Sequence, residues 1–324
     1  MIMAEVDARN NRSVSRTLSA GQAFSPSDRA MLEVRIDEER IMNKLIEDKE
    51  ADRELKLKHK ALWSLGNYPA VASEVIPGTG RRLVEALDIR PGQRVLDVGA
   101  GSGNAAIPAA AAGAQVVASD LAPVLLEVGR QHADADGVTL EWQEADAENL
   151  PYGDGEFDVV MSCVGVMFAP HHQASADELV RVCRPGGSIG LLSWTPDGFI
   201  GQMFATMKPY APAPPPGAQP PPLWGDEQHV RSLLGDRVTD VDAKVETLTV
   251  DRFESPDEMR DFFKEAYGPT IAVYRNVGDD SQRVEALDRA LTDLAADHFD
   301  ADAGVMGWDY LLLTATRQAD DQSK

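Results

Sequence analysis

The sequence predicts an α/β fold built on a mostly parallel sheet, and two observations predict it. Between residues 94 and 194, apolar runs of strand length alternate with amphipathic helical stretches. The run Val95–Val98 leads into the alternating glycines of Gly99–Gly103, as a buried strand does when it turns tightly into a helix. Because right-handed crossovers join successive parallel strands, such units form one sheet with helices on both faces.

The N-terminal part of the chain differs from the rest in composition and hydrophobic pattern. Residues 1–24 are polar and aperiodic and are expected to be mobile, and Ser25–Asp28 is typical of a helix N-terminus with proline in the first turn. The charge-rich stretch that follows predicts a long helix, which either docks by one narrow apolar stripe or forms a dimerisation arm. We assign residues 1–60 to an N-terminal helical extension and residues 61–324 to the main domain.

Each predicted strand is a short run rich in β-branched or alternating apolar residues. The predicted strands are Arg94–Val98, Gln115–Ser119, Thr139–Gln143, Phe157–Met161, Ser188–Trp194, Lys244–Val250 and Tyr310–Thr316. The predicted helices are Thr79–Leu87, 104–112, 122–134, 174–184, Thr195–Met207, Asp226–Leu234, Pro256–Ala266 and Ser281–His298. The proline-rich stretch Pro209–Pro222 predicts an extended segment, either a surface connection or a polyproline ligand for another protein.

The composition argues against nucleic acid and membrane partners. The chain of 324 residues carries 31 Lys and Arg against 53 Asp and Glu, a net charge of −22. Such a surface repels the phosphates of nucleic acids and of anionic membranes. No apolar run reaches the length of a membrane span, no signal peptide is recognisable, and the two cysteines imply no disulfide framework. We therefore predict a soluble protein of the cytoplasm.

Residues with ligand-binding chemistry follow the predicted strands at their carboxyl ends, where parallel α/β sheets bind ligands. The glycine loop follows the first strand, and the N–H groups of the helix behind it suit a carboxylate or phosphate. Asp120 closes the second strand about twenty residues later, where a carboxylate can accept hydrogen bonds from both hydroxyls of a ribose. Leu121 is placed to pack against an adenine face. Asp146, at the tip of the third strand, is placed to bind the adenine amino group. An aspartate after a strand also caps helices.

The spacing of the glycine loop excludes several common ligand-binding motifs. A dinucleotide loop has the pattern G-x-G-x-x-G, whereas here the third glycine comes one residue early and Asn104 stands where that pattern has glycine. A nucleophile elbow around Ser102 would need glycines at Ala100 and Asn104. The loop also lacks the G-K-[ST] ending of a phosphate-binding P-loop.

Four motifs together resemble the class I S-adenosylmethionine (SAM)-dependent methyltransferases. They are the D-x-G-x-G-x-G pattern from Asp97 to Gly103, Asp120, Asp146-Ala147, and Arg-Pro-Gly-Gly after Phe-Asp-Val-Val. The resemblance covers roughly residues 61–195 and is closest to the quinone-biosynthesis-like branch of small-molecule methyltransferases. It implies a Rossmann-like sheet of seven mostly parallel strands with an antiparallel C-terminal edge strand. It also implies helical lid insertions and substrate-side helices within residues 195–300.

The resemblance also implies which residues bind the cofactor, S-adenosyl-L-methionine, and which line the acceptor site. The implied cofactor-binding residues are Asp97, Gly99, Ala100, Gly101, Gly103, Asp120, Leu121, Asp146, Ala147 and Cys163. The implied substrate-lining residues are Trp63, Tyr68, Met167 and Phe168. On the alternative interpretation, these aromatic residues are ordinary packing residues.

A general base is needed only if the acceptor must lose a proton near the transition state. His171 and His172 follow the tip of the fourth strand, and histidine titrates near neutrality, so we name them as candidate catalytic bases. The alternative is that they flank the next helix. Two adjacent histidines do not make a metal site, and we expect no metal.

The sequence leaves three functions open. The first is transfer of a methyl group from SAM to the oxygen, nitrogen or carbon of a small organic acceptor by in-line displacement. The second is a nicotinamide-dependent oxidoreductase, which shares the strand–glycine–helix arrangement and the acidic ribose residue. The third is a non-catalytic SAM-binding subunit that dimerises through residues 25–60.

Overall fold

The structure is a computed structural model, and it describes residues 40, 42, 44, 49–215 and 217–319. The chain divides into two compact units, Met1–Glu54 and Leu55–Lys324. In the first unit the described residues are helical. The predicted mobile stretch and the predicted helix start at Ser25–Asp28 lie outside the described residues, and the dimerisation arm stays a prediction.

The second unit is organised around one sheet. Its strands are β1 (Arg94–Val98), β2 (Gln115–Asp120), β3 (Glu141–Glu144), β4 (Phe157–Cys163), β5 (Cys183–Trp194), β6 (Val238–Val250), β7 (Phe299–Asp300) and β8 (Val305–Arg317). The strand order is β3-β2-β1-β4-β5-β8-β6, and the two-residue β7 pairs with β8. Neighbouring strands from β3 to β5 are parallel, and β8 runs antiparallel between β5 and the edge strand β6. The predicted fold class is confirmed, with two differences. The sheet has eight strands and not seven, because β7 is added, and the antiparallel C-terminal strand β8 lies inside the sheet while β6 forms its edge.

The helices alternate with the parallel strands and then dominate the C-terminal half. They are α1 (residues 55–63), α2 (Tyr68–Ala70, continued by the π-helical turn Val71–Val75), α3 (Thr79–Ala86), α4 (Ala106–Ala111), α5 (Pro123–Ala135), α6 (His172–Val182), α7 (Phe199–Met207), α8 (Glu227–Leu234), α9 (Pro256–Ala266), α10 (Gly268–Val277) and α11 (Ser281–Asp297). The prolines around residue 220 form a 3-10 turn, Pro221–Gly225.

The central strands are buried on both faces. On β1, Val95 and Leu96 are adjacent and point to opposite faces, and both are fully buried. Val159 and Val160 on β4 show the same pattern. Continuous apolar runs of this kind are therefore explained by helices covering both faces of the sheet.

Two segments differ from the sequence-based interpretation. Pro185–Gly187, which the sequence leaves between the predicted helix 174–184 and the predicted strand Ser188–Trp194, lies within β5. Pairing already begins at Cys183 opposite Phe157 and then shifts register before Val159. The sequence does not predict α10, because Gly268-Pro269 is typical of a break between helices. In the structure this proline instead occupies the first turn of a new helix.

Among the described residues, none of the helices combines the length and apolarity that crossing a membrane requires.

Candidate active site

The carboxyl ends of the parallel strands surround a cleft that opens to solvent. We call it the glycine-loop cleft. Of the residues singled out in the sequence, those that line it are Trp63, Tyr68, Gly99, Gly101, Asp120, Leu121, Asp146, Ala147 and Phe168. Residues from five separate segments of the chain therefore converge on one side of the sheet.

The glycine loop can form only with glycine at its critical positions. Gly99 and Gly101 have φ angles of +70° and +55°, in the left-handed region that side chains disfavour. A Cβ on Gly99 would lie 2.8 Å from the Cα of Gly165, in the loop after β4. The N–H groups of Gly99 and Ala100 both donate to the carbonyl of Ser119, at 2.8 and 2.9 Å. The loop is thus held against the end of β2, with its backbone facing the cleft.

Asp120 links the glycine loop to the second strand. Its Oδ2 accepts a hydrogen bond from the N–H of Gly101, and its Oδ1 accepts one from the N–H of Ala122, both at 2.8 Å. Burial raises the pKa of this carboxyl, and the two N–H donors oppose that rise. Asp120 therefore lines the cleft but does not cap α5, whose N-cap residue is Ala122 and which has no side-chain cap.

Asp97, at the end of β1, is 1% exposed and does not line the cleft. Neither of its carboxyl oxygens has a hydrogen-bond partner in standard geometry among the described residues. Burial raises its pKa to about 7, and the backbone N–H of Ala106 offsets only part of this effect. Such an unpaired buried carboxyl is rare in proteins and calls for an explanation.

Helix α1 closes the cleft on the side of Asp146. The Nζ of Lys56 lies 3.1 Å from Oδ1 of Asp146 and also binds Glu148. One turn later, Lys60 forms an ion pair with Glu144 at 2.5 Å. The sequence signal for this arrangement is the i, i+4 spacing of the two lysines, which puts both on one face of α1.

Glu148 ties three segments together, although the sequence did not single it out. Its side chain is 7% exposed and accepts hydrogen bonds from Lys56 and from both the backbone and the ring of His171. Burial alone would raise the pKa of Glu148, but these donors outweigh burial and hold the pKa below its usual value. His59, also on α1, lines the cleft, and burial and Lys56 lower its pKa.

The two candidate bases do not line the cleft. His171 is held by Glu148, with its Nδ1 2.9 Å from Oε2 and its backbone N–H 2.7 Å from Oε1. His172 is fully buried, and its Nδ1 lies 3.0 Å from Nε2 of His229. Burial and His229 lower the pKa of His172 to about 4, so its ring is neutral at physiological pH. Both histidines therefore lie at the start of α6, which is the alternative that the sequence left open.

Four other predicted site residues also lie outside the cleft lining. Ala100 is buried in the core, and Gly103 packs against Trp142 and Ile107. Met167 is fully buried in the turn after β4. Cys163 directs its thiol to Oγ1 of Thr79 at 3.4 Å, and burial raises the pKa of that thiol to about 12. This thiol is therefore protonated at neutral pH.

Val164 carries backbone strain at the cleft. It has a φ of +56°, which is exceptional for a β-branched residue, and its N–H donates to the carbonyl of Leu192 at 2.8 Å. Strained residues of this kind cluster at functional sites. Nothing in the local sequence signals this conformation, because a valine at a strand end predicts extended backbone.

A narrow gap between aromatic side chains, with room for about one water molecule, adjoins the cleft. It is lined by Tyr68, Val71, Ile76, Val164, Trp194, Ile200, Phe263, Tyr267 and Trp308. Tyr68 and Val164 also line the glycine-loop cleft, so they separate the gap from the cleft. The four aromatic residues contributed by β5, α9, the residue after α9, and β8 were not identified from the sequence.

Comparison with known proteins identifies the class. Residues 95–187 match a family model described as a methyltransferase domain. The demethylmenaquinone methyltransferase of Thermus thermophilus is 39% identical over 119 residues, which covers 36% of this chain and 54% of that enzyme. The crystal structure of BH2331 from Bacillus halodurans shares the fold, with a TM-score of 0.51 at 18% identity over 74% of this chain and 99% of that one. The chain belongs to the class I SAM-dependent methyltransferases.

Within this class, full-length relatives come from mycobacteria. The uncharacterized protein Rv1405c of Mycobacterium tuberculosis is 50% identical over 267 residues, covering 82% of this chain and 97% of the relative. Rv1403c of the same organism is 51% identical over 259 residues, covering 80% and 94%. The match of residues 95–187 to a methyltransferase domain makes the enzyme a SAM-dependent methyltransferase, and the nicotinamide-dependent and non-catalytic alternatives are set aside.

Proposed function

We propose that the enzyme transfers the methyl group of SAM to a small organic acceptor by in-line displacement. The observation that carries the proposal is the glycine-loop cleft. It brings the glycine loop and the acids at the strand tips together with the aromatic rings of Trp63, Tyr68 and Phe168. In-line transfer needs two adjoining sites that hold donor and acceptor in a fixed orientation.

The residues around the cleft fit the chemical groups of SAM. We assign the ribose to Asp120, the adenine to Leu121, Asp146 and Ala147, and the methionine end to Gly99, Gly101 and, from behind the loop, Asp97. The unpaired carboxyl of Asp97 supports this assignment, because the methionine end carries an ammonium group that a buried carboxylate stabilises.

SAM, when bound, supplies an electrophilic methyl group on a sulfonium. The task of the protein is then to orient the acceptor and exclude water, and the aromatic residues Trp63, Tyr68 and Phe168 enclose the cleft for that purpose. Burial raises the pKa of the Tyr68 hydroxyl, so it donates hydrogen bonds and does not act as a base at neutral pH. We propose that the acceptor's proton, where it has one to lose, leaves to solvent.

Titration calorimetry with S-adenosylhomocysteine tests the cofactor assignment. We expect saturable binding to the whole chain, and a loss of affinity of roughly tenfold or more in Asp120→Ala, because a charge-assisted pair of ribose hydrogen bonds is removed. Asp134→Ala is the matched control, since Asp134 is exposed on α5 and outside the cleft. Equal affinities of Asp120→Ala and the wild type would contradict the assignment, and mass-shift detection of a methylated acceptor tests the transfer itself.

A further inference from the structure

We propose that the junction between α9 and α10 positions aromatic rings that line the glycine-loop cleft, and that Tyr267 is the positioning residue. The rings are those of Trp63 and Tyr68, which we call the aromatic wall. The junction consists of Ala266, Tyr267 and Gly268. This inference rests on the proposed function, because it concerns residues that enclose the cofactor. It is carried by a backbone contact that requires glycine on both sides and by the packing of Tyr267 against both rings.

The segment that carries the aromatic wall has little support of its own. Trp63 is the last residue of α1, and Tyr68 is the first residue of α2, which is three residues long and continues into a single π-helical turn. Residues 64–67 between them form an irregular turn. Such short helical pieces are unstable by themselves, because each of their few hydrogen bonds requires several residues to be ordered. Contacts from elsewhere in the molecule therefore hold the two rings in place.

The junction meets the turn between α1 and α2 through backbone atoms. The N–H of Asn67 donates to the carbonyl of Ala266 at 2.9 Å. A Cβ on Gly66 would lie 2.5 Å from that same carbonyl oxygen, and a Cβ on Gly268 would lie 2.5 Å from the carbonyl oxygen of Leu62. Such distances leave no room for a side chain, so each segment has glycine where the other approaches. The separation of the two segments is therefore fixed by their main chains.

Tyr267 lies between these backbone contacts, and its ring packs against both members of the aromatic wall. Its ring centroid lies 6.2 Å from that of Trp63 and 6.4 Å from that of Tyr68. The rings of Trp63 and Tyr68 are 5.3 Å apart, so the three rings form one cluster. Phe263, one turn earlier on α9, packs on Tyr267 at 5.3 Å and on Trp308 of β8 at 5.8 Å. The ring of Tyr267 thus connects the aromatic wall to the sheet.

Tyr267 acts on the cleft only through the aromatic wall. It is 4% exposed and does not line the cleft. Because a wall that is already in place needs no ordering when the ligand binds, Tyr267 contributes to cofactor affinity without touching the cofactor. Arg252 also bridges Glu74, in the π-helical turn after α2, and Glu258 of α9, at 2.9 Å each. These three side chains are partly exposed, so their ion pairs contribute little in comparison.

Titration calorimetry with S-adenosylhomocysteine on the full chain tests the role of Tyr267. We expect Tyr267→Ala to weaken binding roughly tenfold, because it loses two aromatic contacts that hold the wall, and Tyr267→Phe, which keeps the ring, to bind as the wild type does. The matched control is Tyr274→Ala, which removes a partly buried tyrosine of α10 that packs on Lys264 and donates to Asp288, outside the cleft lining. Wild-type affinity in Tyr267→Ala, or an equal loss in Tyr274→Ala, would overturn the inference. Failure of the wild type to bind S-adenosylhomocysteine would instead count against the proposed function.

A second variant tests the backbone contact without removing a ring. The φ of Gly268 is not in the left-handed region, so Gly268→Ala acts through the close approach of its Cβ to Leu62. We expect it to weaken S-adenosylhomocysteine binding by roughly threefold or more, because the wall is no longer held in place. In protein labelled with 5-fluorotryptophan, the fluorine NMR resonance of Trp63, assigned with Trp63→Phe, should also move. Gly78→Ala, with nothing within 4 Å of the added Cβ, should change neither the affinity nor the resonance. If Tyr267→Ala does not fold, Gly268→Ala decides: weaker binding with a moved resonance supports the inference, and wild-type affinity with an unmoved resonance contradicts it.

Discussion

At the end of β1, the carboxyl group of Asp97 is buried without a hydrogen-bond partner among the described residues, and its pKa rises to about 7. In the unfolded chain this pKa returns to its usual value near 3.9. Between these two values the folded state holds a proton that the unfolded state has released. The contribution of Asp97 to stability is therefore greatest below pH 4 and falls as the pH rises towards 7.

We expect Asp97→Asn to remove this pH dependence. Relative to the wild type, the variant should gain free energy of unfolding, by roughly 2–4 kcal/mol, as the pH rises from 4 to 7, with no further change above pH 7. Urea unfolding at several pH values measures the difference. Asp134→Asn, at an exposed position, is the control. A difference between Asp97→Asn and the wild type that is independent of pH would contradict the assigned pKa.

Two features require glycine at position 99: its left-handed backbone conformation and its close approach to Gly165. Two variants separate them. Gly99→Ala should destabilise the protein by more than the roughly 1–2 kcal/mol that a left-handed alanine costs, because its Cβ would lie 2.8 Å from the Cα of Gly165. Gly137→Ala, at the end of α5, is the matched control, with a φ of +68° and nothing within 4 Å of the added Cβ. Thermal unfolding measures both variants, and equal losses would show that the close approach to Gly165 is unimportant.

At the scale of elements, α1 is attached to the strand tips by a few buried contacts. Lys56 binds Asp146 and Glu148, and the ring of Trp63 lies 4.6 Å from that of Phe168. Because Glu148 also holds His171, the same carboxylate fixes both α1 and the start of α6. This arrangement gives His171 a positional role that does not involve the acceptor.

We expect Lys56→Ala to loosen α1. The substitution leaves two carboxylates without their cation, and the side chain of one of them, Glu148, is 7% exposed, so a loss of about 3 kcal/mol in the free energy of unfolding follows. Dissociation of S-adenosylhomocysteine, followed by stopped-flow fluorescence, should become faster. Arg130→Ala breaks an exposed pair with Glu127 and should cost less than about 1 kcal/mol. Comparable losses in the two variants would show that the Lys56 contacts are as weak as a surface pair.

At the scale of the whole molecule, ligand binding and folding are linked. The cleft draws on β1, β2, the segments after β3 and β4, and α1, so its geometry exists only in the folded state. At a ligand concentration 100 times its dissociation constant, S-adenosylhomocysteine should stabilise the protein by about 2.7 kcal/mol. Differential scanning fluorimetry measures the rise in Tm, and the rise should shrink in Asp120→Ala at the same ligand concentration. A full rise in that variant would indicate that binding does not involve Asp120.

The sequence by itself determined the order of the parallel strands and the helices between them, the fold class, the glycine loop and the acidic residues at the strand tips. These features are local. A buried strand needs a continuous apolar run, a left-handed turn needs glycine, and parallel strands bring their carboxyl ends to one side. The placement of Gly101, Asp120 and Asp146 around one cleft follows from that topology, and so could be predicted.

Only the tertiary structure decided which distant side chains meet at the site. Tyr68 and Trp308 line one gap between aromatic side chains although they are far apart in the chain, and His171 turns to Glu148 and away from the cleft. Aromatic residues and histidines have the same local patterns whether they pack or bind. Which of these roles a side chain takes depends on long-range packing, which local periodicity does not encode.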